Sequence, residues 1–321
     1  MFGPDIGVTS FAALLTLAIS VTFWVWVCPS LHILVALGGA VLYLVNFALM
    51  MLTATSDPGI LPRNTIMDDA EAAANSQSTR TVEVNGPSRP PPPFPDRRAR
   101  ACTARLGPDR ALRLAPAAAV AGTTINLKWC YTCRIWRPPR AAHCSECNVC
   151  VDKLDHHCPW MGQCIGRRNY RFFLGYVGST CALCLYTAGL SLVVFFRAAS
   201  HSKNKLIVDV IVEGTTHAPG AAVAVAVPSL ILLCVAPLLC YHASLVCENK
   251  TTNEEIKSPY GRDNPFHKGW PRNCREACCA TRELSRVHLR ALACEAQSST
   301  AWRTVECPDL GLEPAGADGE V

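Results

Sequence analysis

Residues 128–164 read KWCYTCRIWRPPRAAHCSECNVCVDKLDHHCPWMGQC and contain seven cysteines and three histidines. Two residues separate the members of three cysteine pairs: Cys130 and Cys133, Cys144 and Cys147, and Cys147 and Cys150. This spacing allows two thiolates to bind one tetrahedral ion. Because a structural zinc site has four ligands, two zinc ions would use all but two of these donors. An unliganded cysteine beside an unliganded histidine is a potential nucleophile and base.

Outside this stretch the chain of 321 residues is strongly apolar, with 50% hydrophobic and only 17% charged residues. The apolar residues are concentrated in four runs, at 8–28, 31–53, 172–196 and 221–247. Each run reaches the ~20 residues that a helix needs to cross a bilayer. Four buried helices of a soluble protein are the alternative, but one small core would not need four runs of this length. The sequence therefore predicts an α-helical integral membrane protein with four transmembrane helices and a cysteine-rich two-zinc domain between helices 2 and 3.

Basic residues predict the orientation in the membrane. The segment 54–171 is rich in lysine and arginine, and Lys250 and Lys257 follow the fourth run, whereas the loop at 197–220 has few basic residues. By the positive-inside rule, both termini and the cysteine-rich domain face the cytosol. The net charge of +5 lies mostly in these parts and suits an anionic membrane surface better than a nucleic acid.

Changes in composition mark the predicted domains. In chain order they are a transmembrane hairpin at 1–53, a cytosolic and largely disordered linker at 54–121, the cysteine-rich zinc domain at 122–171, transmembrane helices 3 and 4 at 172–247 with a non-cytosolic loop at about 197–220, and a cytosolic tail at 248–321. The linker is assigned from its four successive prolines and its lack of hydrophobic periodicity. Because the zinc domain would face the reducing cytosol, its cysteines are expected to bind metal or to react as thiolates rather than to form disulfides.

Ligand spacing predicts two interleaved zinc sites. His143 and Cys144 are adjacent, so their side chains are expected to diverge and to bind different ions. The first zinc is assigned Cys130, Cys133, His143 and Cys150. The second zinc is assigned Cys144, Cys147, Cys164 and one of His156 or His157. Spacing alone leaves an exchange of the third ligands between the two sites open.

Cys158 and one of the two adjacent histidines remain without a metal. A neutral imidazole can accept a thiol proton, and a carboxylate such as that of Asp155 can hold the imidazole in the productive tautomer. Local chemistry leaves open whether His156 or His157 is the base, and the alternative role for Asp155 is to orient a histidine that binds zinc. At a membrane face, a thioester that carries an acyl chain is the chemically matched substrate for such a cysteine.

Four motifs, in this order and membrane placement, resemble the DHHC family of integral-membrane protein S-acyltransferases, or palmitoyltransferases. They are Asp57-Pro58-Gly59, Asp155-His156-His157-Cys158 within the cysteine pattern, Thr251-Thr252-Asn253-Glu254 and Asn264-Pro265-Phe266. The segments 162–166 and 169–173 look most similar to the plant members. Two departures are Gln163, where many members have asparagine, and Leu154, where methionine is frequent.

The resemblance implies a two-step reaction. Cys158 would attack a long-chain acyl-CoA, typically palmitoyl-CoA, and the acyl-enzyme would pass its acyl group to a cysteine of a membrane-associated protein. His156 would be the base, oriented by Asp155, and His157 would be the ligand of the second of two structural zinc ions.

The resemblance also implies roles for residues outside the zinc pattern. Arg137 and Arg140 would contact the phosphates of the coenzyme. Thr251 or Thr252 would donate a hydrogen bond near the active-site carboxylate, and Asn264 would help to dock the tail.

A membrane-anchored zinc-binding adaptor, such as a RING-like ubiquitin ligase, is the alternative from another class. RING ligands run Cys-x-His and then Cys-x-x-Cys, and they need no spare Cys–His pair. Here His143 directly precedes Cys144, and Cys158 is spare. A nucleic-acid-binding zinc finger is excluded because the domain is predicted to be held at a membrane. The predicted topology is compatible with endomembranes (Golgi or endoplasmic reticulum) and with the plasma membrane.

Overall fold

The computed structural model describes residues 4–64, 73–75, 80–84, 123–200, 206–260, 264–281 and 284–287. Its helices are α1 (Ile6–Trp26), α2 (Ile33–Thr55), α3 (Tyr170–Ala199), α4 (Ile207–His217), α5 (Pro219–Glu248), α6 (Thr252–Lys257) and α7 (Trp270–Cys279). Helices α1, α2, α3 and α5 are long and apolar enough to span a membrane. The cysteine-rich segment lies between α2 and α3. The predicted fold class is therefore confirmed.

Polar side chains join the membrane helices α2 and α3. The amide of Asn46, which is buried, donates to Ser179 Oγ at 3.0 Å and to Thr180 Oγ1 at 2.8 Å. Further along the pair, the Tyr186 hydroxyl donates to the Val35 carbonyl at 2.8 Å. Hydrogen bonds between helices stabilise association in hydrocarbon, where apolar side chains gain little by leaving lipid. The cysteine-rich domain is thus connected at both ends to a fixed helix pair.

Short antiparallel strands build the cysteine-rich domain. They are β1 (Ile60–Leu61), β2 (Arg80–Val84), β3 (Thr123–Cys130), β4 (Ile135–Arg137), β5 (Ala142–Cys144), β6 (Val149–Val151), β7 (His156–Cys158) and β8 (Gln163–Ile165). They pair in the orders β1-β6-β5, β2-β3-β4 and β7-β8. Strands of this length bury little apolar surface, so such a domain needs metal ligation in place of a large core.

Two short segments of the predicted linker form β-strands. Strand β1 pairs with β6, and β2 pairs with β3, with Arg80 opposite Leu127 and Val84 opposite Thr123. The β-branched residues of β2 favour an extended chain. Its partner strand, β3, lies about 40 residues further along the chain, so a local sequence pattern does not predict the pairing. Residues 97–121 lie outside the described residues.

Helices also occur in the loop at 197–220, as α4, and in the tail at 248–321, as α6 and α7. A capping box begins α6: Thr251 Oγ1 accepts from the Glu254 amide at 3.2 Å, and Glu254 Oε2 accepts from the Thr251 amide at 3.0 Å. Two backbone donors that the helix leaves unpaired are satisfied in this way. The capping box fixes the start of α6 beside the cysteine-rich domain.

Candidate functional site

The first cluster of metal-capable side chains combines Cys130, Cys133, His143 and Cys150. The Nδ1 atom of His143 lies 3.6 Å from Sγ of Cys130, 3.5 Å from that of Cys133 and 3.8 Å from that of Cys150. Tetrahedral Zn²⁺ with ordinary Zn–S and Zn–N bonds separates nitrogen and sulfur by about 3.6 Å. Strand pairing of β5 with β6 sets His143 opposite Cys150 and so delivers half of the cluster.

The second cluster has the same geometry and combines Cys144, Cys147, His157 and Cys164. The Nδ1 atom of His157 lies 3.7, 3.4 and 3.8 Å from Sγ of Cys144, Cys147 and Cys164. In the β7-β8 hairpin His157 stands opposite Cys164. The structure therefore brings both predicted ligand sets together in the interleaved arrangement, with His157 rather than His156 at the second cluster.

Hydrogen bonds between thiols distribute the protons unequally within each cluster. The bond between Cys133 and Cys150 lowers the pKa of Cys133 and raises that of Cys150, and the bond between Cys147 and Cys164 lowers the pKa of Cys147 and raises that of Cys164. The thiolate, not the thiol, is the metal ligand. Each donor set, three sulfurs and one imidazole nitrogen, fits Zn²⁺.

Asp155 directly precedes strand β7, which carries His157 of the second cluster, and it is 2% exposed. Its Oδ2 atom is 2.6 Å from His156 Nδ1 and accepts from Thr252 Oγ1 at 2.8 Å, while Oδ1 accepts from the Thr252 amide at 2.9 Å. Burial on its own raises the pKa of Asp155, but the hydrogen bonds from His156 and Thr252 outweigh burial and lower it. Asp155 is thus an ionised group held by the start of α6, and Thr252, not Thr251, provides the predicted contact.

His156 links this carboxylate to Cys158. In strand β7, residues 156 and 158 point to one face and residue 157 to the other, so the imidazole of His156 and the thiol of Cys158 are neighbours. Burial tends to lower the pKa of His156, but the interactions with Asp155 and with the Cys158 thiol outweigh it and raise the pKa to about 9. The arrangement can move a proton from sulfur to nitrogen, with the resulting imidazolium stabilised by Asp155.

The thiol of Cys158 also belongs to an apolar cluster formed by the membrane helices together with Met161 and Ile165 of the cysteine-rich domain. Its other buried members are Ala12, Met50, Met161, Ile165, Phe173 and Val177. Val235 and Leu239 of α5 pack against the same cluster. The nucleophile candidate therefore stands between a polar pair on one side and hydrocarbon side chains on the other.

His242 and Tyr170, which the sequence analysis did not single out, also lie beside His156. His242 of α5 is 2% exposed, and its ring centroid is 5.9 Å from that of His156. Its Nδ1 atom lies within hydrogen-bonding distance of the Tyr170 hydroxyl, at 3.2 Å. The available signal was the interruption of the fourth apolar run by Tyr241 and His242, since ionisable groups in membrane helices mark functional sites.

Arg140, which the resemblance assigned to the coenzyme phosphates, is paired within the protein itself. Its guanidinium makes two 2.7 Å contacts to the carboxylate of Glu254, and both side chains are 5% exposed. It also donates to Asn249 Oδ1 at 3.0 Å and lies over the Phe266 ring at 4.5 Å. Arg140 is therefore a structural link between the cysteine-rich domain and the tail. Arg137 donates to the Lys128 and Trp129 carbonyls at 3.4 and 3.5 Å.

Replacement of Arg140 by glutamine should destabilise the fold. The change would leave the Glu254 carboxylate buried and unpaired, which costs about 3–5 kcal/mol in comparable buried pairs. Thermal unfolding in detergent measures the loss, with Arg137→Gln as the matched control, for which less than about 1 kcal/mol is expected. Equal stability of Arg140→Gln and Arg137→Gln would contradict this role.

Asp57 and Gln163, from other segments that carry the family resemblance, also hold the site in place. Asp57 Oδ1 accepts from the amides of Gly59 and Ile60 at 2.8 and 2.9 Å, and its carboxylate pairs with Arg168. The amide of Gln163 donates to the carbonyls of Thr53 and Ser56 at the end of α2, at 2.6 and 3.0 Å. These contacts connect the β7-β8 hairpin to the membrane helices.

Asn264 and Gly166 also fix the position of the cysteine-rich domain and the tail. Asn264 Nδ2 donates to the carbonyls of Glu248 and Asn249 at 2.6 and 3.1 Å, which docks the tail against the end of α5. A side chain at Gly166 would lie 2.6 Å from Val151 Cγ1 and 2.7 Å from the Pro58 carbonyl oxygen. Only glycine therefore permits β6 and the segment after α2 to approach so closely.

Comparison with known proteins agrees with this site. The family model described as DHHC palmitoyltransferase matches residues 123–259. "Probable protein S-acyltransferase 3" of Arabidopsis thaliana is 32% identical over 311 residues, which are 94% of this chain and 68% of that protein. "Palmitoyltransferase ZDHHC18" of Mus musculus is 32% identical over 309 residues, 92% of this chain and 72% of that protein. The chain with these paired clusters and this Asp-His-Cys centre belongs to the DHHC palmitoyltransferase family.

Proposed function

We propose that this chain is a zinc-containing protein S-acyltransferase. It moves a long-chain acyl group, typically palmitoyl, from acyl-CoA through a Cys158 acyl-enzyme to cysteines of membrane-associated proteins. The observation that carries the proposal is the position of Cys158 between the His156–Asp155 pair and an apolar cluster to which the membrane helices contribute. Relatives named S-acyltransferase or palmitoyltransferase support the same activity.

The first step forms the acyl-enzyme. His156 takes the proton of the Cys158 thiol, and the thiolate attacks the carbonyl carbon of the acyl-CoA thioester. The bond from that carbon to the coenzyme sulfur breaks, and the leaving thiolate takes the proton from His156. The raised pKa of His156 supports this role, because an imidazolium beside Asp155 is stable while it awaits the leaving group.

The second step regenerates Cys158. The thiol of the protein substrate gives its proton to His156 and attacks the acyl carbon, and the bond to Cys158 Sγ breaks. The Cys158 thiolate then recovers the proton. Exchange of one thioester for another is close to isoenergetic, so the chain has only to orient the groups and to keep the acyl chain among apolar side chains.

The zinc ions of this proposal are structural. One would be held by Cys130, Cys133, His143 and Cys150, and the other by Cys144, Cys147, His157 and Cys164. Bound zinc would supply cross-links that replace a hydrophobic core. Ligation of His157 would hold strand β7 at the second cluster. The opposite face of the same strand would then present His156 and Cys158.

We assign contact with the coenzyme phosphates to Arg137. The guanidinium of Arg140 is already paired with Glu254, whereas that of Arg137, among the residues that the structure describes, donates to backbone carbonyls at the long distances given above. Arg137→Gln should raise KM for acyl-CoA several-fold at unchanged kcat, since it removes binding to a part of the donor that does not react. An unchanged KM would contradict the assignment.

The cytosolic orientation of both termini and of the cysteine-rich domain is part of the proposal. It is supported by the basic residues of the segment between α2 and α3 and of the tail. Acyl-CoA supplied outside sealed microsomes, whose outer face is cytosolic, should label the chain without detergent. A label that appears only after the membrane is opened would reverse the orientation.

Incubation of the purified chain with labelled palmitoyl-CoA tests the activity itself. The expected result is a stoichiometric label that hydroxylamine removes at neutral pH, followed by transfer to a cysteine-containing substrate. A correctly folded wild-type chain that never takes up label would favour the zinc-binding adaptor, which recruits partners and carries out no acyl chemistry.

A further inference from the structure

The imidazole of His157 contacts Asp5 as well as the three cysteines of its cluster. Its Nδ1 atom faces the sulfurs at 3.4–3.8 Å, and its Nε2 atom lies 2.8 Å from Oδ2 of Asp5. A histidine that binds zinc through Nδ1 carries its proton on Nε2 and donates it to an acceptor. Asp5, at the start of α1, supplies such an acceptor 152 residues away in sequence.

The surroundings of Asp5 support this contact. Asp5 is the N-cap residue of α1, yet its carboxylate makes no capping hydrogen bond, although aspartate at this position commonly does. Gly162, in the turn that connects β7 to β8, has φ +68°. A side chain there would come within 2.8 Å of Thr9 Oγ1 and 3.4 Å of the Asp5 carbonyl carbon. Gly162 thus allows α1 to approach the hairpin that carries His157.

We infer that Asp5 is a positioning residue for the second zinc: it accepts the Nε2–H of His157, fixes that ring, and fastens the first membrane helix to the strand that carries His156 and Cys158. The inference rests on the zinc sites proposed above. Loss of such an acceptor typically costs 10–100-fold in metal affinity. The side chain of Asp5 is 37% exposed, so its loss leaves no buried charge behind.

Zinc release from the full-length chain in detergent tests the inference without any measurement of activity. A chromogenic chelator in excess should remove one of the two zinc ions from Asp5→Ala about 10–100-fold faster than from wild type, with the other ion unchanged. Asp5→Asn, which keeps an acceptor oxygen, should fall between them. Asp209→Ala, which removes a carboxylate from the first turn of α4, is the matched control and should release zinc at the wild-type rate.

Substitution of the histidine identifies the ion. His157→Cys keeps four ligands but has no Nε2–H, so Asp5→Ala should cause no further acceleration in that background. Recovery of Asp5→Ala with one zinc per chain instead of two also supports the inference. Wild-type release kinetics in Asp5→Ala, or full acceleration by it in the His157→Cys background, would overturn it. A wild-type chain with fewer than two zincs would instead contradict the zinc sites on which it rests.

Discussion

Cys158→Ser should abolish the hydroxylamine-sensitive label from palmitoyl-CoA. A serine hydroxyl has a far higher pKa than a thiol, so the imidazole of His156 cannot generate a comparable nucleophile, and a loss on the order of 10³-fold or more is expected. The change replaces one sulfur by oxygen at a buried position, so the fold should persist. Label incorporation and thermal unfolding, measured on the same preparation, separate lost chemistry from lost structure.

A second cysteine variant makes this result specific. Cys234 lies exposed on α5, outside both clusters and the apolar cluster around Cys158. Cys234→Ser should incorporate label at the wild-type rate. Because every transferred acyl group would first pass through Cys158, label on any other cysteine should also disappear in Cys158→Ser. Label that persists in that variant would show that Cys158 is not the nucleophile.

The zinc clusters were predictable because their geometry is local. Each Cys-x-x-Cys pair brings its two sulfurs together within one turn, and the histidine and last cysteine follow on short hairpins. Spacing restricts which donors can meet over such distances. The membrane helices were equally predictable from the apolar runs, since length and composition alone identify a membrane span.

The contacts that complete the site were not predictable from local pattern. Thr252 reaches Asp155 across 97 residues, Arg140 reaches Glu254 across 114, and Asp5 reaches His157 across 152. Such pairs depend on how the membrane helices return the chain to the zinc domain. Arg140 shows the same limit: the family resemblance implied a contact with coenzyme phosphates, whereas its buried pairing with Glu254 depends on a residue far along the chain.

The choice between the two adjacent histidines shows the same limit on a smaller scale. Once residues 156–158 form a strand, alternation requires His156 and Cys158 to share a face and His157 to point away. The direction of His157 toward the second cluster therefore supports the proposal that His156 is the base. Three residues are too few to reveal an extended chain from their composition, so local chemistry alone left both histidines open.

His156→Ala and His157→Ala should therefore fail in opposite ways. The first removes the proton acceptor of Cys158 but no ligand, so acyl-enzyme formation should fall by about 10²–10⁴-fold while two zinc ions stay bound. The second removes one of four ligands of the second cluster. Zinc content should fall to one per chain, and thermal unfolding should shift strongly downward, because metal ligation replaces a core in this domain.

Metal content and label must be measured together, because a chain that lost its second zinc would also lose the geometry of β7 and would not react. The informative variant is thus His156→Ala, inactive but with two zincs and a wild-type unfolding transition. His156→Gln offers a milder partner, since its amide can still bond Asp155 but cannot take up a proton. If His156→Ala lost zinc while His157→Ala kept both zinc and label, the two histidines would exchange roles, and the second cluster would have to close through the face of β7 that carries Cys158.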